Sequence, residues 1–305
     1  MPRRNLLFRH ALVVHRRTSR LDPNVRGLLW AMLAGVLFVV LNSIMRGLAI
    51  HIGPFLTQAL RYAMGVLVML PLMANSGFAS YLPRNIGGQF VRGGVHTAGL
   101  TLWFIAIPHI TLADTTAIGF TGPIFIMMGA ALFLHEPMRW ERWLAAGLGF
   151  AGVLIVVWPK LSGQGGGYSL IMLASSPIFA ASFLITKALT RYERPEVIVA
   201  WQSITVTLFS LPMALWQWQT PNVVQWLLLL LCGVLGSAGH YCLSRSFSVA
   251  DISATQSVKF LDLVWAALLG WVVFSDAPSR STLIGGAVIC ASTLWIARRE
   301  ARSGR

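Results

Sequence analysis

Lys259 and Asp262 stand three residues apart in SVKFLDLVWAALLG, residues 257–270, a run otherwise composed for lipid. A charged side chain at the centre of a membrane helix costs about 2.5–3.5 kcal/mol even on insertion scales. Gln256 precedes Lys259 by the same spacing, so the three share one broad helical face. Val258, Leu261, Val264 and Leu268 take the opposite side, fit for lipid or a neighbouring helix. Either the polar face lines a wet cavity that receives a substrate, or the Lys–Asp pair neutralises itself and pins helix packing. Arg61, in TQALRYAMG, is a third intramembrane charge. Its forked guanidinium holds a carboxylate or phosphate, pairs with Asp262, or caps carbonyls across an interface.

The elements that must position these residues follow from composition. The chain has 305 residues, of which 56% are hydrophobic and only 11% charged. Soluble domains carry about 25% charged residues. Charge-poor segments of about 20 residues recur along nearly the whole length, each long enough for a hydrocarbon core of about 30 Å. The composition therefore specifies an all-α polytopic membrane protein. Strands of a membrane barrel would alternate with period two over about 10 residues, which excludes that class. Ten spans are predicted, at 27–49, 54–74, 88–108, 112–134, 140–158, 167–187, 195–217, 222–246, 250–274 and 281–298. Turn and cap residues separate them, as in HIGP, NSGF, YERPE and QTPN.

A net charge of +14 invites comparison with nucleic-acid binders. The charges lie instead in tails and short loops, as the positive-inside rule expects, so no nucleic-acid partner is predicted. With both termini on one side, nineteen Lys and Arg fall on that side and three on the other, which predicts cytoplasmic termini. Arg92 is counted here among inner-loop charges, and Glu136 and Glu141 read as solvated loop acids. The basic stretch MPRRNLLFRHALVVHRRTSRLD has no long apolar core and reads as an uncleaved cytoplasmic tail. Cys232, Cys242 and Cys290 lack metal-ligand or paired spacing and read as packing residues. No catalytic or nucleotide-binding motif occurs, so neither an enzyme, a cofactor nor a metal is predicted.

The two halves repeat. A shift of 140 residues lays Met32, Leu33 and Ala34 over Met172, Leu173 and Ala174. A shift of 137 lays GLTLWFIAIPHITLAD, 99–114, over GSAGHYCLSRSFSVAD, 236–251, placing Trp103 and Phe104 on His240 and Tyr241. Five spans per half is an odd number, so the halves enter the membrane from opposite sides, an architecture of secondary transporters. The predicted segments are a basic tail 1–26, repeat 27–159, linker 160–166, repeat 167–298 and basic tail 299–305.

TLADTTAIGFTGPIFIMMGAALFLHEP followed by AAGLGFAGVLIVVWP, and KFLDLVWAALLGWVVFSDAPSRSTLIGGAVI in the second half, resemble the EamA-type members of the drug/metabolite transporter superfamily. Asp276 stands where that pattern usually has Glu. The resemblance implies alternating-access transport, with the third and eighth spans lining the cavity. Trp103, Phe104, His240 and Tyr241 then either clamp a flat or cationic ligand or simply pack. His240, and likewise His96, is also a candidate relay for a coupling proton. Two cations and one acid predict a zwitterionic or anionic cargo, such as an amino acid or a derivative like S-adenosylmethionine. The expected setting is a bacterial inner membrane, as monomer or homodimer. The alternative is a membrane-embedded enzyme acting on a lipid or isoprenoid.

Overall fold

The computed structural model describes residues 22–106, 109, 118–137, 139–160, 166–274 and 279–303. The predicted tail through Leu21, most of the linker, Asp114, Asp276 and the Arg46 side chain lie outside the described residues. The described residues form α-helices, with two short 3₁₀ turns and no strand. The first half holds α1 (Pro23–Ile52), α2 (Pro54–Ser76), α3 (Ile86–Ala106), α4 (Gly122–Phe133) and α5 (Trp140–Val157). The second holds α6 (Gly166–Leu189), α7 (Pro195–Trp216), α8 (Val223–Val249), α9 (Ile252–Lys259), α10 (Leu261–Phe274) and α11 (Arg280–Ser303).

Local chemistry sets the helix ends. The Asp22 carboxylate accepts from the Asn24 amide at 2.8 Å and Pro23 opens α1. Only Gly53 separates α1 from α2; its φ of 82° is the left-handed conformation that a glycine adopts without a steric penalty. Asn222 and Gln225 close a reciprocal capping box at the start of α8.

Among the described residues, eight helical segments are long and apolar enough to cross a membrane, and α4 is apolar but shorter. At 30 residues, α1 runs about 45 Å, longer than a hydrocarbon core. The 21-residue α3 is long enough but less apolar, because it carries Gln89, Arg92, His96 and Thr97, all buried. Arg92, expected in an inner loop, is thus a helix-interior residue.

The predicted span 250–274 is not one helix; it breaks at Phe260 into α9 and α10. Side chains in the first piece bond to their own backbone: Thr255 and Gln256 donate to the Ile252 carbonyl and Ser257 to that of Ala254. Such bonds compete with the regular ladder. The Phe260 ring stacks on Phe120 at 5.7 Å and fills the slot beside Gly149, where a Cβ would collide with it.

Packing pairs helices of one half with those of the other. Contacts join α1 to α8 and α3 to α6, α2 to α8 and α3 to α7, α4 to α6 and α9 to α1. Two further pairs, α2 with α7 and α5 with α11, map onto themselves when the halves are exchanged. Small residues permit close approach, as membrane helices require. A Cβ on Gly152 of α5 would come within 2.9 Å of the Gly285 carbonyl oxygen of α11.

One end of the bundle is tied by ion pairs. Arg142 donates from Nε to Glu300 and from Nη2 to Asp251, both at 2.9 Å, and from Nη1 to Ser253 at 2.8 Å. Glu300 also accepts from the Asn24 amide group. Glu136, expected to be solvated, instead accepts from the Ile252 and Ser253 amides and from the Ser253 hydroxyl, capping α9. Glu141, likewise expected in solvent, is buried and pairs with Arg299 at 3.3 Å. The isolated-loop expectation failed because each acid's partner lies in the other half, more than 100 residues away.

Candidate functional site

A buried polar layer crosses α2, α3, α6, α7 and α8. Its best-anchored member is Arg92, 2% exposed. Arg92 donates from Nε to the Thr186 hydroxyl, from Nη1 to the Ile198 carbonyl at 3.3 Å, and from Nη2 to Gln202 Oε1 at 2.8 Å. The Gln202 amide nitrogen lies 3.3 Å from His240 Nε2. The His240 ring stands 5.8 Å from that of His96 and 5.0 Å from Phe38. His96 sits between two hydroxyls, Tyr62 at 3.0 Å from Nε2 and Ser182 at 3.2 Å from Nδ1. Phe179 and Phe183 complete its ring contacts, at 5.5 and 6.3 Å.

Arg61 belongs to the same layer but is held differently. Its guanidinium carbon lies 4.1 Å over the Tyr62 ring and packs on Gly236, where any Cβ would collide with it. Arg61 is buried, yet its Nε has no hydrogen-bond partner and no carboxylate pairs with it among the described residues. Gln58 Oε1 and Ser237 Oγ, also buried, lack partners as well. Gln58, Arg61 and Gly65 follow one another along a face of α2 turned to α7 and α8: Gln58 donates to Ser210, and a Cβ on Gly65 would meet Ser203 and Ser237. A buried polar atom without a partner costs about 1–3 kcal/mol, which makes this cluster the candidate place for a bound molecule or water to complete the bonds.

Lys259 and Asp262 bridge the break between α9 and α10. Their side chains meet at 2.9 Å and remain 25% and 22% exposed. Lys259 Nζ lies 5.6 Å from the Phe38 ring centroid, and Phe38 touches His240, so the pair borders the layer through one aromatic ring. Gln256 points to its own backbone at Ile252. Trp103 and Phe104 pack together at 4.9 Å near the end of α3, with Phe55 against Phe104 at 6.2 Å. Tyr241 packs edge-on against Trp30 at 6.1 Å. Of the residues singled out in sequence, the structure gathers Arg61 and His240 into one layer with Lys259 and Asp262 at its margin, and sets Trp103, Phe104 and Tyr241 in separate aromatic contacts.

Sequence reasoning missed Arg92, Tyr62, Gln202 and Ser182. One signal was available: Gln89, Arg92 and His96 recur at helical spacing in a segment of otherwise apolar and small residues. Gln202 carries no such signal, since a lone Gln in AWQSITV reads as neutral.

Comparison with known proteins fits this architecture. The EamA-like transporter family matches residues 25–158 and again 166–298. The riboflavin transporter of Rhizobium johnstonii is 32% identical over 284 residues, covering 92% of this chain and 94% of that protein. The S-adenosylmethionine uptake transporter of Rickettsia prowazekii is 25% identical over 283 residues, covering 93% and 96%. A solved crystal structure superposes with a TM-score of 0.78 at 19% identity, over 91% of this chain and 98% of that one, a likeness of fold alone. With the family domain present twice and apolar helices throughout, the chain belongs to the EamA-like transporter family and is a multi-pass membrane protein, a secondary transporter of a small metabolite.

Proposed function

We propose that this chain carries an uncharged planar heterocycle of the riboflavin class across a bacterial inner membrane. The observation that carries this reading is Arg61: a buried guanidinium with no carboxylate partner among the described residues, in a layer that also holds Arg92. The rings of Phe38, Tyr62, Phe179 and Phe183 surround the same layer. Such surroundings suit a flat ring system with a carbonyl-bearing edge, which accepts from the guanidinium while its faces stack on aromatics. S-adenosylmethionine brings a sulfonium and an ammonium, and low-dielectric repulsion from two arginines opposes both. The second reading is a zwitterionic amino-acid derivative, S-adenosylmethionine included. The Lys259–Asp262 pair favours it, since its charges complement those of an α-amino acid.

Movement follows from two five-span halves, 27–159 and 167–298, with 160–166 between them and tails 1–26 and 299–305. Their exchangeable helix contacts and odd span number support an inverted repeat, with each half of the layer rocking against the other. The basic loops support cytoplasmic termini. One chain supplies both halves of the layer, so a monomer suffices. His96, held between two hydroxyls, is the residue offered for a coupling proton.

Exchange of labelled riboflavin by the purified chain in proteoliposomes tests the proposal. Exchange should occur and should not slow when S-adenosylmethionine is present in large excess. Accumulation of S-adenosylmethionine without riboflavin exchange would establish the second reading instead.

A further inference from the structure

The donors and acceptors around Gln202 fix the protonation pattern of His240. Arginine has donors only, so the group facing Arg92 Nη2 at 2.8 Å must be the Gln202 oxygen. The Gln202 amide nitrogen is then the atom turned to His240, and it too can only donate. His240 Nε2 must therefore be an unprotonated acceptor, which leaves the imidazole hydrogen on Nδ1. Arg92 cannot rotate to relax this order, because Thr186 and the Ile198 carbonyl hold its other nitrogens. His96 differs: both its partners are hydroxyls, which donate or accept equally, so its tautomer is free.

The Nδ1–H of His240 has no partner among the described residues, although the residue is only 7% exposed and ringed by Phe38, Tyr62 and His96. We propose that His240 is a recognition residue locked by Gln202 and Arg92 as a fixed Nδ1–H donor, which binds an acceptor oxygen or ring nitrogen on the edge of a planar substrate. Gln202 is its positioning residue. A proton relay must take up and release a proton at the same ring, and the amide donor on Nε2 opposes that; His240 is thus a reader of the cargo rather than a carrier of protons. This assignment rests on the planar-substrate reading and sharpens it: the cargo must present an acceptor at its edge.

Asparagine and glutamine separate the two ring positions. The amide nitrogen of Asn lies at the same bond separation from Cβ as Nδ1, and that of Gln at the separation of Nε2. In the full chain in proteoliposomes, with riboflavin as the probe, His240→Asn should keep KM within about threefold of the unchanged protein. His240→Gln should raise KM by about tenfold, the worth of one hydrogen bond, with kcat little changed. The reverse order, or equal effects of the two, would overturn the proposal. A second measurement does not depend on cargo. Nitrogen-15 spectra of histidine-labelled protein in nanodiscs, assigned with His240→Asn, should show His240 protonated at Nδ1 alone, and Gln202→Glu should move that proton to Nε2. Protonation of His240 at Nε2 in the unchanged protein would overturn the lock whatever the substrate. A locked Nδ1–H together with no riboflavin exchange would support the lock and sink the riboflavin reading alone.

Discussion

Asp262, in the first turn of α10, sets Oδ1 against the backbone of α1 at Gly35, in the space a Cβ would fill. The carboxylate is thereby pinned on one side by a neighbouring helix and on the other by Lys259 at 2.9 Å. Gly35→Ala should displace it and cost about 1–3 kcal/mol through overpacking, read as a lower Tm in detergent. On a Lys259→Met background, where no lysine charge is stranded, Asp262→Ala added to Gly35→Ala should restore most of the loss by reopening the space. A combined variant as unstable as Gly35→Ala on that background would place the strain elsewhere in α1.

The same pair separates structural from substrate-binding roles. Lys259→Met alone leaves Asp262 without its partner and should lower both expression and transport. Lys259→Met with Asp262→Leu removes both charges, and apolar replacement of an ion pair is often tolerated. If the pair only holds α9 to α10, the double variant should express and transport normally. Normal expression without riboflavin exchange is expected if Lys259 meets the cargo.

Two buried arginines should behave oppositely. Removing Arg92 leaves Gln202, Thr186 and the Ile198 carbonyl without their donor, so Arg92→Met should destabilise the fold by more than about 2 kcal/mol. Arg61 gives no hydrogen bond to any described residue, so Arg61→Met should leave Tm nearly unchanged while raising KM for riboflavin about tenfold. Thermal melts and exchange kinetics on the same preparations check both. Equal losses of Tm would show that Arg61 is structural after all.

Cytoplasmic termini require reporters fused at Arg139 and Arg194 to remain inside and those at Gly165 and Thr220 to face out. A cytoplasmic signal at Gly165 would break the five-plus-five division and the inversion with it.

Much of the fold was legible because lipid imposes a simple rule: apolar length, turn chemistry and the placement of arginines are local properties. Gly53 and Pro54 in HIGP announce the α1–α2 reversal without any tertiary information. The break at Phe260 was not legible. It depends on a slot at Gly149, in a helix over 100 residues earlier, and on hydroxyls choosing their own backbone. The site was partly legible: Arg61, Lys259, Asp262 and His240 stood out because charge and imidazole are rare in lipid. Arg92 was misplaced because counting charges by sequence segment cannot tell a loop arginine from one whose three nitrogens each find a partner inside the bundle. Glu136 and Glu141 failed for the related reason that their partners are remote in sequence.

The close approach of α5 and α11 at Gly152 and Gly285 has a mechanical meaning. Side chains between helices act as bearings, letting one slide past another by changing rotamer. Here the Gly152 and Gly285 backbones come together, with the Ile289 and Val156 side chains beside them, so a sliding motion would drive one carbonyl into the neighbouring helix. A tilt about that point needs no such collision. Since this pair maps onto itself when the halves are exchanged, the halves of the proposed transporter should turn on it like the arms of a balance.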